Sequence, residues 1–228
     1  MDFSVIGDNW VYFLIGRYPN GPIGGLALTF YLAVIAGVLS FIGGLILGLL
    51  SLSPYRPLRY VVNTYIQILR GTPLLMVIFW AYFLLPAMMG KPVAENWTVI
   101  TALTLFTSAY MSQIVRAGIA SVPRGQREAA VSTGLQSWQV MLYIVLPQGL
   151  RNMIPSFVNQ FVSLIKDTSL AFIVGVSELT HIATQVNNRS LVHPAEIFLF
   201  VAAVYFILCF SLSSVARLLE KRLAWKSR

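Results

Sequence analysis

The chain has 228 residues, of which 57% are hydrophobic and 11% are charged, and its formal net charge is +8. A soluble domain carries about 25% charged residues, so this composition argues against a soluble globular protein. The basic residues flank apolar segments instead of forming one basic face, which disfavours nucleic-acid binding and predicts an integral protein of the lipid bilayer.

The first 25 residues are predicted to lie outside the bilayer or at its surface. The apolar run at 10–15 is too short to cross a membrane and is followed by Arg17. Trp10 and Tyr12 suit the headgroup region, where aromatic side chains are enriched. No basic segment precedes the first long apolar run, so we expect that run to stay in the membrane and not to act as a secretory signal.

Five apolar segments follow, each long enough to cross a hydrocarbon core of about 30 Å as a helix. They cover residues 26–50, 60–85, 97–122, 155–176 and 195–218. We assign a transmembrane domain to 26–222 and a basic tail to 223–228. Gly44 and Gly48 in the first span allow close helix packing, and contact within the chain is favoured over a seam between two copies.

The distribution of lysine and arginine between the spans predicts the topology. Ten lie on one side: Arg56, Arg59, Arg124, Arg127, Arg151, Arg217, Lys221, Arg222, Lys226 and Arg228. Three lie on the other: Arg17, Lys91 and Arg189. The positive-inside rule places the larger set in the cytoplasm. The predicted fold is therefore an all-α integral membrane protein with five transmembrane helices, its N-terminus outside and its C-terminus cytoplasmic.

A polar segment at 124–147 interrupts the apolar spans on the cytoplasmic side. Its recurring residues are Glu128, Ala129, Ala130, Gly134, Leu146 and Pro147. The composition of 128–133 favours a short helix, and Glu128 suits the positive end of the helix dipole. Gly134 can adopt the left-handed conformation that ends a helix, and Pro147 is expected to interrupt the next helical run. A short surface helix with a defined end can transmit the movement of a partner.

The order of these residues is EAA, three residues, Gly, nine residues and then I-x-L-P. This pattern resembles the cytoplasmic EAA loop of permease subunits from ABC importers. Over about 22–222, the chain is similar to the polar amino-acid permeases, the histidine/glutamine/glutamate group. The stretches that carry this closer resemblance are 70–75, 109–119, 125–126, 146–148 and 166–170.

The resemblance implies the type I permease fold of ABC importers and a location in the bacterial inner membrane. The EAA-loop residues would couple the chain to an ATPase present in two copies, which would hold ATP and magnesium. A second permease, identical or paralogous, and a periplasmic amino-acid-binding protein would complete the transporter. The chain itself is expected to bind no cofactor and to catalyse no reaction, since it lacks a G-x-x-x-x-G-K-[ST] loop and a nucleophile–base set. Its histidines, His181 and His193, lack the partners of a metal site.

Polar and charged residues within or at the ends of the spans are the candidates for a substrate path, because such groups are costly in a membrane. They are Arg70, Ser108, Gln113, Arg116, Asn159, Ser163, Lys166 and Asp167. Asn159, Ser163 and Lys166 share one helix face. Many relatives in the resembled group carry glutamate where this chain has Gln113. Three cations against one carboxylate favour an anionic or zwitterionic substrate, so we expect glutamate, aspartate or their amides.

The sequence also allows other roles for these residues and other functions for the chain. The serine and threonine stripe could bond helix to helix, and Arg70 and Arg116 could extend from helix ends toward the headgroups. Lys166 and Asp167 could form a local ion pair. An ion-gradient-driven secondary amino-acid transporter is the alternative function, although no internal repeat is visible. A membrane subunit without transport activity is a further alternative, and neither explains the EAA spacing.

Overall fold

A computed structural model describes residues 4–190 and 192–225, with side chains described as far as 220. Within these ranges the regular secondary structure is helical, and two isolated β-bridges are also present. Its α-helices are α1 (Ser4–Ile15), α2 (Gly25–Leu50), α3 (Arg56–Gly71), α4 (Leu74–Met89), α5 (Glu95–Ala120), α6 (Arg124–Ser132), α7 (Ser137–Gln139), α8 (Leu146–Asp167), α9 (Leu179–Ser190) and α10 (Pro194–Trp225). A π-helical segment, Val140–Val145, joins α7 to α8, and a 3₁₀ segment, Thr168–Val174, follows α8. Residues 226–228 of the predicted tail and 1–3 of the N-terminal segment lie outside the described residues.

The centre of the bundle is the contact between α2 and α5, and glycines make it close. A Cβ on Gly44 would lie 2.4 Å from Cβ of Met111, and a Cβ on Gly48 would lie 2.6 Å from Cβ of Val115. Both distances are far below a van der Waals contact, so only glycine permits this approach. The prediction that Gly44 and Gly48 serve packing within the chain is confirmed.

The second predicted span is not one continuous helix, which corrects the prediction for 60–85. It consists of α3 and α4, bent by 109° at the break. Pro73 precedes α4, and Thr72 before it is extended, with φ −103° and ψ 138°. A proline disfavours the α conformation of the residue before it and cannot donate a helical hydrogen bond, so the helix stops at Gly71. In the part of the chain that the structure describes, four helical stretches are long and apolar enough to cross a membrane, and this bent pair raises the number to as many as five.

The fourth span begins earlier than predicted, because the helical path runs through Ser137–Val174 and not only 155–176. Pro155 lies inside α8, and Pro147 lies in its first turn. The first turn of a helix tolerates proline, since its missing N–H would have no partner there. The interruption expected at Pro147 takes the form of the π segment before it, where the N–H of Leu146 bonds the carbonyl of Met141.

A third difference concerns 178–194, the segment between the fourth and fifth predicted spans, to which no helix was assigned. Most of it is α9, whose buried face packs against α1 and α10 through Phe13, Leu179, Ile182 and Ile197. The rings of Phe13 and Phe200 meet edge to face, with centroids 5.1 Å apart. With 12 residues, α1 is too short to span a membrane, in agreement with the prediction for 10–15.

Candidate functional site

The short helix expected in the polar segment is α6, which begins at Arg124, four residues before the predicted start. It ends as predicted at Gly134, whose φ of 85° is left-handed. The N–H of Gly134 bonds the carbonyl of Val131 at 2.9 Å, and the N–H of Leu135 bonds that of Ala130 at 3.3 Å. This pattern is a Schellman stop, so the end of α6 is fixed by backbone hydrogen bonds.

Helix α6 has an inner and an outer face. Ala130 is buried against Val122, Val140 and Val145, in a cluster that also includes the cytoplasmic half of α5 on the predicted topology. Glu128 and Ala129 are exposed, and Val131 is 57% exposed. The inner face holds α6 on the bundle, and the outer face is free to meet another protein.

Leu146 and Pro147 do not lie on this outer face. They form the junction of the π segment and α8, beside Gln148, whose Nε2 donates to the carbonyl of Ile144 at 2.9 Å. Their contribution is therefore to the connection between α6 and α8.

One residue of α6 that the sequence analysis missed is Arg127. Its Nη2 donates to the carbonyl oxygen of Ile119 in the last turn of α5, at 2.8 Å. The signal in the sequence is Pro123, since it stands four residues after Ile119 and cannot donate the helical hydrogen bond to that carbonyl.

Two candidate path residues connect α3 to α5. The guanidinium of Arg70 lies 5.4 Å from the ring centroid of Tyr110, whose hydroxyl donates to the carbonyl of Arg70 at 3.4 Å. Nη1 of Arg116 donates to Oδ1 of Asn63 at 3.0 Å. Both arginines thus have polar or aromatic partners within the bundle, and Arg70 is also exposed.

The polar face of α3 was not predicted from the sequence. An open groove of about 660 Å³ is lined by Arg56, Arg59, Tyr60, Asn63, Thr64, Gln67 and Ile68. Asn63, Gln67 and Arg70 are spaced at i, i+4 and i+7, the spacing of one helix face, and this was the available signal. A polar face on a helix that crosses a membrane requires water or a second protein surface.

Gln113 lies in a second groove, of about 440 Å³, between α5 and α8. Its polar lining includes Ser121, Asn152 and Ser156, and Nδ2 of Asn152 donates to Oγ of Ser121 at 2.9 Å. Among the residues that the structure describes, the side chain of Gln113 makes one hydrogen bond, a long one of 3.5 Å from Nε2 to Oγ of Ser112. Its amide is therefore available to a ligand.

The predicted stripe on α8 lies at the surface of the chain. Asn159 and Lys166 are exposed, while Ser163 and Asp167 are partly buried. Among the described residues, neither Lys166 nor Asp167 takes part in a salt bridge. The structure also shows no hydrogen bond between this stripe and the candidates on α3 and α5, within the residues described. The two sets therefore present separate polar surfaces.

The structure corrects the prediction that Ser108 lines the substrate path. It is 3% exposed, and its Oγ donates to the carbonyl of Leu105 in its own helix at 2.9 Å. A Cβ on Gly43 would lie 3.1 Å from Cβ of Ser108, so this residue fills the α2–α5 contact and has no surface to offer a substrate.

A buried carboxylate at the start of α9 was also missed. Glu178 is fully buried, and its oxygens accept the N–H groups of Thr180 at 2.8 Å and His181 at 2.9 Å. Tyr205 of α10 donates to the same carboxylate at 3.1 Å. Burial raises the pKa of Glu178 to about 7, against the hydrogen bonds, which act to lower it. The signal was an acidic residue directly before a helix.

Comparison with known proteins gives a consistent result. Residues 40–225 match the family described as "Binding-protein-dependent transport system inner membrane component". The probable glutamine ABC transporter permease protein GlnP of Bacillus subtilis (strain 168) is 42% identical over 200 residues, which cover 87% of this chain and 91% of GlnP. The L-cystine transport system permease protein TcyB of the same strain is 38% identical over 200 residues, covering 88% and 85%.

A solved structure, described as the crystal structure of an amino acid ABC transporter with histidines, has a TM-score of 0.86 to this chain. The two are 29% identical, and the match covers 97% of this chain and 99% of that one.

Proposed function

Because the chain belongs to the binding-protein-dependent transport system inner membrane components, as a permease subunit of an ABC amino-acid importer, we propose that it forms half of a translocation path for glutamate, aspartate or their amides. The protein is a multi-pass inner-membrane protein and not an enzyme, since ATP hydrolysis belongs to a separate ATPase. ATP and magnesium are held by that ATPase, in two copies, and this chain binds no cofactor.

The observation that carries the coupling role is the pair of faces on α6. Ala130 anchors the helix in an apolar cluster, while Glu128 and Ala129 are exposed. An exposed short helix with a fixed end suits a cleft on a partner. Nucleotide-driven closure of the ATPase would move α6 and shift the population between inward-facing and outward-facing states.

The exposed polar surfaces support the proposal of a second permease. The polar face of α3, Gln113 in its groove and Lys166 on α8 all lie on membrane-crossing helices and are open in the single chain. A second permease, identical or paralogous, would enclose them around a wet path and spare them contact with lipid. An extracytoplasmic binding protein would deliver the amino acid to this path.

The choice of substrate rests on charge. The candidate path residues include three cations, Arg70, Arg116 and Lys166, and one carboxylate, Asp167. Gln113 contributes a neutral amide. A zwitterion with an acidic or amide side chain compensates this set better than a cationic amino acid does. The description of GlnP as a probable glutamine permease agrees with this substrate class. TcyB, in contrast, is described as a cystine permease.

Uptake into proteoliposomes that contain the complete complex, with ATP inside, tests the proposal. We expect ATP-dependent uptake of labelled glutamate or glutamine, competed by aspartate and not by arginine. Asp167→Asn should weaken the apparent affinity, and Asp8→Asn, on the exposed surface of α1, is the matched control. Uptake driven by an ion gradient without ATP would contradict the proposal, and competition by arginine or histidine would contradict the substrate class alone.

A further inference from the structure

At the end of α5, the carbonyl of Ala117 still has its ordinary helical donor, and the carbonyls of the next two residues accept from side chains instead. The carbonyl of Ala117 accepts the backbone N–H of Ser121 at 2.9 Å, and that of Gly118 accepts the Ser121 hydroxyl at 2.7 Å. The carbonyl of Ile119 would accept from residue 123 in a continued helix, but Pro123 has no N–H. Arg127 supplies the missing donor at 2.8 Å. The end of α5 therefore depends on a side chain from α6.

The chemistry of this contact makes it stronger than an average hydrogen bond. A guanidinium donates a charge-assisted hydrogen bond, and it lies at the negative end of the α5 dipole. Nε of Arg127 is buried and has no partner among the described residues, and Nη2 donates to the carbonyl of Ile119. Releasing the carbonyl would leave both groups poorly satisfied, which favours keeping α5 and α6 together as one unit.

The bond also lies close to the candidate path. Arg116 precedes Ile119 by one helical turn on α5 and donates to Asn63 of α3 at 3.0 Å. Consecutive direct contacts thus run from α6 through Arg127 to α5, and through Arg116 to α3. The exposed residues of α6 include Glu128 and Ala129, immediately after Arg127, so the same short helix can meet a partner on its outer face and α5 on its inner face.

We propose that Arg127 is a positioning residue for coupling, which transmits movement of α6 to α5 through the carbonyl of Ile119. This inference rests on the proposed function, because it assumes that α6 meets an ATPase. Without this bond, α6 would stay docked to the ATPase through its outer face and would move with the ATPase. Helix α5 would then no longer move together with α6. ATP would then be hydrolysed with little transport.

The test measures ATP hydrolysis and amino-acid uptake in the same proteoliposomes. We expect Arg127→Ala to assemble with the ATPase and to hydrolyse ATP near the parental rate, with uptake per ATP reduced about tenfold, a typical size for allosteric coupling. Arg127→Lys should restore most of the ratio, since an ammonium group can still donate to the carbonyl. Arg151→Ala removes an exposed positive charge from α8, outside α6, and should keep the parental ratio.

Three results would overturn the inference. The first is a parental ratio in Arg127→Ala. The second is an equal loss in Arg151→Ala, which would assign the effect to net charge. The third is loss of the ATPase from purified Arg127→Ala, which would make Arg127 a docking residue. Failure of the proposed function is distinguishable from all three, since the parental complex would then show no ATP-dependent uptake at all.

Discussion

The hydroxyl of Tyr205, in α10, donates a hydrogen bond of 3.1 Å to Oε2 of Glu178, the carboxylate that caps α9. The next residue, Leu179, donates its N–H to Oγ1 of Thr29 in α2 at 3.2 Å. Helices α2, α9 and α10 are thus joined by hydrogen bonds of two consecutive residues, Glu178 and Leu179. This arrangement fixes α9 against the bundle on the outer side of the predicted topology.

The raised pKa of Glu178 predicts a pH-dependent stability. The pKa rises from 4.5 to about 7 on burial, so the folded protein holds this proton more tightly than the unfolded chain. Its stabilising contribution, up to about 3 kcal/mol, is complete below about pH 4.5 and is lost as the pH rises through about 7. We expect the thermal midpoint of the purified protein to fall between pH 5 and 8 by more than that of Glu178→Gln. Equal pH dependence in the two proteins would contradict the prediction.

Removal of the Glu178 side chain should destabilise the fold most clearly below about pH 7, where its contribution is present. In Glu178→Ala the N–H groups of Thr180 and His181 lose their acceptor, at a cost of about 1–3 kcal/mol. Tyr205→Phe removes only the hydroxyl that donates to Glu178 and serves as a smaller change at the same place. Thermal unfolding in detergent should give a clearly lower midpoint for the alanine variant. A midpoint equal to that of the parent would show that water replaces the carboxylate without cost.

Because α2 and α5 approach so closely, the stability of the fold should be sensitive even to one added methyl group. Gly44→Ala places a Cβ 2.4 Å from Cβ of Met111, which forces the helices apart and costs about 1–3 kcal/mol. The matched control is Gly71→Ala at the end of α3, because a Cβ there meets no atom within 4 Å. Thermal unfolding of both variants checks the expectation, and equal midpoints would refute it.

The outer face of α6 predicts a loss of coupling without a loss of stability. The Glu128 side chain is exposed and makes no described hydrogen bond, so Glu128→Ala should unfold at the parental temperature. We expect it to weaken the stimulation of the ATPase by the assembled permease about tenfold, which corresponds to about 1.4 kcal/mol of lost contact. Glu220→Ala, an exposed carboxylate at the end of α10, is the control. Parental stimulation in Glu128→Ala would remove this residue from the interface.

Replacement of Gln113, in the groove between α5 and α8, should change which amino acid the transporter prefers. In Gln113→Glu a carboxylate replaces an amide that lies open in the groove, one helical turn from Arg116. We expect the inhibition constant of arginine against glutamine uptake to fall about tenfold, which corresponds to about 1.4 kcal/mol of ion pairing. Gln113→Leu should lose affinity for glutamine without gaining affinity for arginine. An unchanged preference in Gln113→Glu would place this residue away from the substrate.

The sequence predicted the features that depend on local composition and spacing. The helical membrane class follows from long apolar segments, because only such segments are stable as helices in lipid. The stop of α6 at Gly134 follows from the freedom of glycine to adopt a positive φ. The family resemblance in 124–147 follows from residues at fixed separations and agrees with the family match over 40–225.

The tertiary structure decided features that depend on residues far apart in the chain. The 109° bend between α3 and α4 places the polar face of α3 in the open, and no local pattern gives its angle. Ser108 had the composition of a path residue, but the approach of Gly43 on α2 buries it. The bond from Arg127 to Ile119 exists only because α6 folds back beside the end of α5. Composition and spacing determine which segments become helices, whereas the face that each polar side chain presents depends on packing between helices.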